Sequence, residues 1–194
     1  MIDENAGLKA TWQRIEGYLR AHAPDVAATL ALAATADQIV AIERAIGRQL
    51  PRDLASSLRI HNGQNDPSQL WSFTECGQLL SCEGIVEMWQ MTEAAHADEA
   101  GRPRPVPGVD YTPSVWWRST LVPFTFDNGD MLCVDTYSGP DAARGQVVMH
   151  VHDDRLSEPL APSFSAWLAV VAGRLDAGAL IVDPQGWSCL RSEI

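Results

Sequence analysis

The feature that most constrains this chain is an Asn128-Gly129 pair set between two apolar runs, 121–126 and 131–134. Both central positions of a two-residue hairpin turn need a positive φ, which glycine adopts freely and asparagine tolerates. The pattern therefore predicts two antiparallel strands joined by this turn. Because both alternating sets of side chains are largely apolar, both faces of the hairpin should be covered, which places it inside a sheet.

A two-residue loop also predicts the register of the hairpin. The opposed pairs should be Asp127–Asp130, Phe126–Met131, Phe124–Cys133 and Val122–Asp135. In that register Asp135 falls on an apolar face, where a carboxylate needs a partner or a functional role. Turn chemistry accounts for Asp127 and Asp130, so Asp135 is the least well explained acidic residue of the segment.

Three helices are predicted in the first part of the chain. The first ends before Pro24 and has an apolar face formed by Leu8, Trp12, Ile15 and Leu19. Thr35 and Gln38 resemble a capping box at the start of the second helix. Pro51 suits the beginning of a short third helix that stops at Asn62-Gly63.

Strands and two further helices complete the pattern. Short strands are predicted at 70–73, 78–80 and 146–152. Ser81 suits the N-cap of a helix over 83–99, and Ser163 that of a last amphipathic helix closed by Gly178. Helices come first, then strands joined by hairpin-scale turns, then a helix. This order favours an α+β fold with a mainly antiparallel central sheet and helices packed around it.

Length and composition favour a single domain. A chain of 194 residues with 46% hydrophobic composition can bury one sizeable core over 1–194. We expect the core to occupy about 8–178, with a proline-rich surface loop at 97–113. The C-terminal extension, 179–194, contains Ile181-Val182 and should pack back onto the domain.

The net charge and the N-terminal sequence limit the classes of partner and the cellular compartment that we expect. The net charge of −11 disfavours nucleic acid and anionic membranes and allows a basic protein partner, although acidity can also serve solubility alone. The N-terminus lacks the basic and apolar regions of a signal peptide, and no apolar run is long enough to span a bilayer. The four cysteines show no CxxC spacing, which favours reduced thiols. We therefore expect a cytoplasmic protein.

Motifs that would carry catalysis are missing from the sequence. It contains no GxSxG, P-loop, GxGxxG or HExxH pattern. His150 and His152 share a strand face, but no third ligand follows at a recognisable spacing, which favours ordinary strand-end histidines over a metal site. Cys133 near them lacks oxyanion donors, which favours a buried thiol. We therefore predict no enzymatic activity, no metal and no cofactor.

A binding surface is the remaining possibility. Trp71 and Trp116 lie on or beside predicted strands and loops, where an exposed aromatic residue would suit a binding hot spot. Burial under the proline-rich loop is the alternative for each. The acidic group around the turn does not have the spacing of an EF-hand loop. We predict five surface contributors to partner binding: Trp71, Trp116, Asp127, Asp130 and Asp135.

The motifs, taken in order, resemble the SUKH superfamily. They are Trp12, Ile15-Glu16, Ala36-Asp37-Gln38-Ile39, Ile42-Glu43, Ile46-Gly47, Leu50-Pro51, His61-Asn62-Gly63, Trp117, Val122-Pro123-Phe124, Asn128-Gly129-Asp130, Cys133-Val134-Asp135, Gly145-Gln146-Val147-Val148, Ser163-Phe164 and Leu168. The likeness extends from about Trp12 to Gly178. It departs from the superfamily pattern at the 97–113 loop and the C-terminal extension. The superfamily includes the fungal cell-wall-assembly regulator domain and many bacterial immunity proteins.

The resemblance implies an α+β fold and a non-enzymatic role. Its bacterial members imply the leading hypothesis, a cytoplasmic immunity protein that neutralises a cognate polymorphic toxin by covering the toxin's active site. Its fungal members imply the alternative, a regulatory or scaffold domain without a toxin partner. A third hypothesis, from the residues alone, is an enzyme or metal protein that uses His150, His152 and nearby aspartates.

Overall fold

The computed structural model describes residues 4–66, 72–74, 76–96, 117–137, 145–152, 157–182 and 188–190. The helices in these residues are α1 (Glu4–His22), α2 (Pro24–Thr29), α3 (Ala36–Ile46), α4 (Arg52–Leu58), α5 (Cys82–Ala95) and α6 (Phe164–Asp176). The strands are β1 (Gln78–Leu79), β2 (Leu121–Pro123), β3 (Thr125–Phe126), β4 (Met131–Asp135), β5 (Val147–His150), β6 (Leu180–Val182) and β7 (Ser188–Leu190). This composition confirms the predicted α+β class.

Every strand pairing in the described residues is antiparallel, as predicted. The largest sheet has the order β2-β4-β5, while β1 pairs with β3 and β6 pairs with β7. The strand predicted at 70–73 does not form in its described part. The hydroxyls of Ser72 and Thr74 donate instead to the Gly77 carbonyl at 2.6 and 2.7 Å, which closes a turn.

The helix starts follow the local sequence signals. The Gln38 backbone N–H donates to the Thr35 hydroxyl (3.2 Å), and the Thr35 N–H donates to the Gln38 side chain (2.9 Å), which completes the capping box. The hydroxyls of Ser81 and Ser163 cap α5 and α6 in the same way, each accepting from an N–H three residues on. Gly47, at φ +69°, ends α3 in the left-handed conformation.

One continuous core joins residues of all six helices, as expected of a single domain. Trp12 lies at its centre on α1 and donates its indole N–H to the Ser57 hydroxyl of α4 at 2.9 Å. The core-facing side of the central sheet adds Val122, Phe124, Leu132 and Val134. In the extension, Leu180 and Val182 are buried in this core too.

The opposite face of the central sheet has a smaller core of its own. It consists of Trp117, Leu121, Met131, Cys133 and Val148, with Met88, Trp89 and Phe126 packed against it. Met88 and Trp89 belong to α5, so this helix covers the second face. The hairpin is therefore buried on both sides, as its apolar alternation predicted. None of the described helices is both long and apolar enough to cross a membrane.

The register of the hairpin differs from the prediction beyond its turn. Asp127 faces Asp130, and Asn128 and Gly129 have φ of +48° and +101°, as the turn requires. Past the turn, however, the partners are Leu121–Asp135, Val122–Val134 and Pro123–Cys133. The predicted pairs Val122–Asp135 and Phe124–Cys133 are wrong by one residue.

A β-bulge at Phe124-Thr125 causes this shift, because two residues there oppose the single residue Leu132. Phe124 donates its N–H to the Leu132 carbonyl at 2.8 Å. The Leu132 N–H donates to the hydroxyl of Thr125 at 2.8 Å. Phe124 shares the main-core face with Val122, whereas Phe126, two residues later and past the bulge, packs against the second core. The Phe124 carbonyl accepts the Leu80 N–H at 2.9 Å. The chain thereby passes from the central sheet to the β1-β3 pair.

Thr125→Val should destabilise the protein by about 1–3 kcal/mol, because it leaves the buried Leu132 N–H without an acceptor while conserving side-chain shape. Thr92→Val is the matched control. Thr92 is also buried, but its hydroxyl donates to the Met88 carbonyl one helical turn earlier, so that no buried donor loses its acceptor. Urea unfolding followed by circular dichroism measures both free energies. Equal losses in the two variants would contradict the role given to the Thr125 hydroxyl.

Candidate functional site

The predicted partner-binding residues do not form one cluster in the described part of the chain. Trp71 and Trp116 lie outside the described residues, so their predicted roles remain predictions. Asp127 is exposed at the hairpin turn, Asp130 is half-buried beside it, and Asp135 is 1% exposed. The three carboxylates therefore have different environments.

Asp135 is part of an internal polar network. The prediction that it lies on the surface is therefore wrong. Its Oδ2 accepts from the Arg118 Nη2 at 2.8 Å, and its Oδ1 accepts from the Tyr137 N–H at 3.0 Å. The bulge is the physical reason, because it places Asp135 opposite Leu121, near the entry of β2. The guanidinium of Arg118 reaches the carboxylate from that entry. Asp135 therefore fastens the start of β2 to the end of β4.

Asp130 anchors the hairpin turn to the chain after β5. Its Oδ1 accepts from the His152 backbone N–H at 3.0 Å and lies 2.8 Å from the His152 Nδ1. Burial has the largest single influence on the pKa of Asp130 and raises it, but the two hydrogen bonds and the charge of His152 together hold the pKa below its usual value. Contact of Asp127 and Asp130 with a partner remains a prediction.

His150 and His152 are separated in the fold. His152 pairs with Asp130, whereas His150 is 4% exposed and packs edge-on against Trp117 (5.4 Å between ring centroids) and His96 (5.9 Å). Neither ring nitrogen of His150 has a hydrogen-bond partner within the described residues. In those residues no three His, Cys, Asp or Glu side chains converge on a point where they could hold a metal ion.

The environment of His150 should make folding stability depend on pH. Burial lowers the pKa of His150, and the nearby His96 lowers it further, so the unfolded chain binds more protons at this position just below pH 6.5. The free energy of unfolding should therefore fall between pH 7.5 and pH 5.5 (values near the ordinary histidine pKa).

His150→Phe should show a smaller decrease across this interval, measured by urea unfolding at both pH values. His22→Asn, which removes an exposed histidine near the end of α1, should keep the decrease of the unsubstituted protein. An unchanged decrease in His150→Phe would assign the pH dependence to other groups.

An open groove of about 610 Å³ lies between α3 and α5. Its walls are formed by Gln38, Ala41, Ile42, Cys82, Glu83, Val86, Glu87, Gln90 and Met91. Ile42 and Cys82 are buried at its floor, while Met91 is 52% exposed at its rim. Because α5 covers the second core with Met88 and Trp89, its remaining sides are left to form the groove wall.

The groove combines an apolar floor with an anionic wall. Glu83 and Glu87 are its charged lining residues among those described. The Gln38 amide donates to Glu83 at 2.9 Å, and this bond is the main cause that lowers the pKa of Glu83, so the carboxylate is ionised at neutral pH. Burial raises the pKa of Cys82 to about 11, so its thiol stays protonated and adds to the apolar floor. Such a surface is suited to binding.

Sequence reasoning missed this groove. Two signals for it exist in the chain: a pair of glutamates four residues apart on α5, and Met91, an apolar residue off the core-facing side of that helix. Neither signal is specific, because exposed glutamates and single exposed apolar residues are common on helices. The docking of α3 beside α5 makes them parts of one surface.

Comparison with known proteins connects this architecture to a family. Residues 33–170, from the start of α3 into α6, match the model of the SMI1 / KNR4 family (SUKH-1). The matched region contains the groove, the hairpin and the Asp135 network. It also confirms the resemblance derived from the order of the sequence motifs.

Relatives of the chain include fungal and mammalian proteins. The "Glucan synthesis regulatory protein" of Neurospora crassa is 24% identical over 213 aligned residues, which cover 90% of this chain and 39% of that protein. The "Cell wall biosynthesis/cell cycle regulator smi1" of Schizosaccharomyces pombe is 27% identical over 188 residues, or 89% and 37%. "F-box only protein 3" of Homo sapiens is 38% identical over 63 residues, or 32% and 13%.

The chain spans less than two-fifths of the length of either fungal relative. The likeness to them therefore concerns the shared region and not the whole of those proteins. Within this chain the family match extends over well more than half of the residues. The protein belongs to the SMI1 / KNR4 family (SUKH-1).

Proposed function

We propose that this protein is a regulatory domain without enzymatic activity that acts by binding another protein. The observation that carries the proposal is the family match across α3 to α6, together with fungal relatives named as regulators of glucan synthesis and cell-wall biosynthesis. These names favour the regulatory alternative over the immunity hypothesis. A toxin partner stays a prediction from the wider superfamily.

The chemistry of the described surface supports a binding role. The groove presents apolar side chains and carboxylates that a partner can contact. The buried thiols of Cys82 and Cys133 have raised pKa values, which suppresses the thiolate form a nucleophile would need. Asp135 is occupied by Arg118 inside the domain. Cys82, Cys133 and Asp135 thus have structural roles inside the domain, while the groove is open to solvent.

Deletion of the encoding gene in its host tests the proposal. If this chain regulates the cell wall, as its fungal relatives are named to do, its loss should change the sensitivity of cells to wall-degrading enzymes. Expression of this chain should restore normal sensitivity. Unchanged sensitivity would overturn the proposed regulatory role in the cell wall.

The same experiment separates regulation from immunity. An immunity protein should be impossible to delete unless a neighbouring toxin gene is deleted with it. Deletions made with and without the adjacent genes therefore distinguish the two functions. A strain that survives only as the double deletion would replace the regulatory proposal with the immunity hypothesis.

A further inference from the structure

We infer that the groove between α3 and α5 binds a basic amphipathic helix of a partner protein. This inference rests on the proposed binding function and specifies the chemistry of the partner. The bound helix would place its apolar face on Ala41, Val86 and Met91. Its Lys or Arg side chains would pair with Glu83 and Glu87.

The dimensions of the groove suit a helix. The groove lining runs from Cys82 to Met91 on α5 and from Gln38 to Ile42 on α3. At a rise of 1.5 Å per residue, the α5 side provides a wall of about 15 Å, roughly three helical turns. An amphipathic helix lying in a groove between two helices is a recurrent mode of peptide recognition.

The apolar part of the groove exposes side chains to water that a partner could cover. Met91 is 52% exposed, so its apolar side chain is open to a partner. Methionine has a flexible, polarisable side chain that adapts to varied partner surfaces. The neighbouring floor, formed by Ile42 and Cys82, is already buried and ordered by the core. A partner helix would therefore complete an apolar layer that is already in place.

Charge selects the kind of partner. Glu83 and Glu87 stand four residues apart on α5, a spacing at which like charges repel. A Lys or Arg between them would remove that repulsion and gain two favourable interactions. Nucleic acid and anionic membranes would be repelled by this wall. A second copy of this chain would bring the same two carboxylates to the contact, so self-association through this face is opposed as well.

A designed peptide tests the inference. The probe is a fluorescent helix of Leu, Ala and Lys of about 18 residues, five turns, with Leu on one face and Lys beside it. The unsubstituted protein should bind it in a fluorescence anisotropy titration, and binding should weaken as salt is added. A peptide with every Lys replaced by Glu should not bind. Equal binding of both peptides, or binding of neither, would overturn the inference.

Two pairs of variants locate the binding. Glu83→Gln with Glu87→Gln should raise the Kd by about tenfold or more. The control, Asp25→Asn with Glu158→Gln, removes two exposed carboxylates outside the groove, one of them likewise in the first turn of a helix, and should change the Kd by less than about twofold.

Met91→Lys should abolish binding of the peptide, whereas Val170→Lys, which alters a 49% exposed apolar residue of α6, should not. Equal effects within either pair would overturn the groove as the site. A dimer of the unsubstituted protein that Met91→Lys dissociates, measured by analytical ultracentrifugation, would assign the groove to self-association instead. Circular dichroism confirms that each variant is folded.

Complementation separates failure of this inference from failure of the proposed function. If the unsubstituted chain restores the deletion strain and Met91→Lys does not, both stand. If Met91→Lys restores it equally well, the regulatory function stands and the groove is not its site. If the unsubstituted chain does not restore the strain, the proposed function fails, whatever the peptide titration shows.

Discussion

Asp135→Ala should lower the free energy of unfolding by about 3–5 kcal/mol, since it removes the buried carboxylate that pairs with the Arg118 guanidinium. The carboxylate is 1% exposed and lies 2.8 Å from the Arg118 Nη2. The variant also removes the acceptor of the Tyr137 N–H. The Arg118 side chain keeps 17% of its surface exposed, so water can relieve part of the loss. Chemical denaturation followed by circular dichroism measures the change.

The double variant Arg118→Met with Asp135→Leu is the control for this experiment. Replacing both members of a buried ion pair by apolar side chains of similar size is often close to neutral. The double variant should therefore recover most of the stability that Asp135→Ala loses. A loss below about 1 kcal/mol in Asp135→Ala would indicate a pair as weak as those on protein surfaces, and would contradict its place inside the domain.

Gly63→Ala should destabilise the protein by clearly more than Gly47→Ala, although the two glycines have almost the same backbone conformation. Their φ angles are +71° and +69°. An alanine Cβ at position 63 would lie 2.4 Å from the Leu80 carbonyl carbon and 2.5 Å from the Ser81 nitrogen, whereas at position 47 it would meet nothing within 4 Å. The backbone at Leu80-Ser81 must therefore move.

We expect Gly47→Ala to cost about 1–2 kcal/mol, the penalty of the left-handed conformation alone. Gly63→Ala should cost about 1–3 kcal/mol more, because the clash involves backbone atoms that have no alternative rotamer. Midpoints of urea unfolding at constant m-value measure both changes. Equal losses would show that the contact with Leu80 relaxes without cost.

The position of Gly63 extends this prediction to the groove. The preceding residue, Asn62, accepts the Cys82 N–H with its side chain at 2.8 Å, and the following residue, Gln64, donates its N–H to the Leu79 carbonyl at 2.9 Å. These bonds hold the start of α5, whose side chains form one wall of the groove. A folded Gly63→Ala variant should therefore bind the designed basic peptide more weakly than Gly47→Ala does.

Local signals in the sequence predicted the elements of the fold. The spacing of Trp12, Ile15 and Leu19 defines the buried face of α1, and all three are fully buried. Thr35 and Gln38 specify the start of α3 because every partner of the capping box lies within four residues. Asn128-Gly129 specifies the turn for the same reason. Patterns of this kind depend on neighbouring residues and need no knowledge of the rest of the chain.

The bulge was beyond prediction because the hairpin is apolar on both faces. In a hairpin with one face in solvent, a one-residue slip would expose the apolar side chains of the buried face. That penalty allows the register to be predicted from the sequence. Here either register buries apolar side chains, so the pattern gave no reason to reject the predicted pairs. The partner of Asp135 was hidden as a consequence, since the predicted register placed Asp135 opposite Val122, whereas it lies opposite Leu121, near the entry of β2, where Arg118 reaches it.

The groove required knowledge of helix packing. Gln38 and Ala41 lie more than 40 positions before Glu83 and Met91, and the two sets meet because α3 docks beside α5. Their residue types, taken singly, are those of ordinary helix surfaces. Tryptophans and turn aspartates are more conspicuous in the sequence, yet of these Asp135 is internal.

The position of β4 between β2 and β5 gives the protein an internal kinetic reporter. Cys133 lies on this middle strand with both faces of the sheet covered, and burial raises the pKa of its thiol. A thiol reagent can reach it only when the sheet separates, whereas half-buried Cys76 is accessible to smaller local fluctuations. The rate at which Cys133 is labelled in native buffer therefore reports the opening of the central sheet without denaturant.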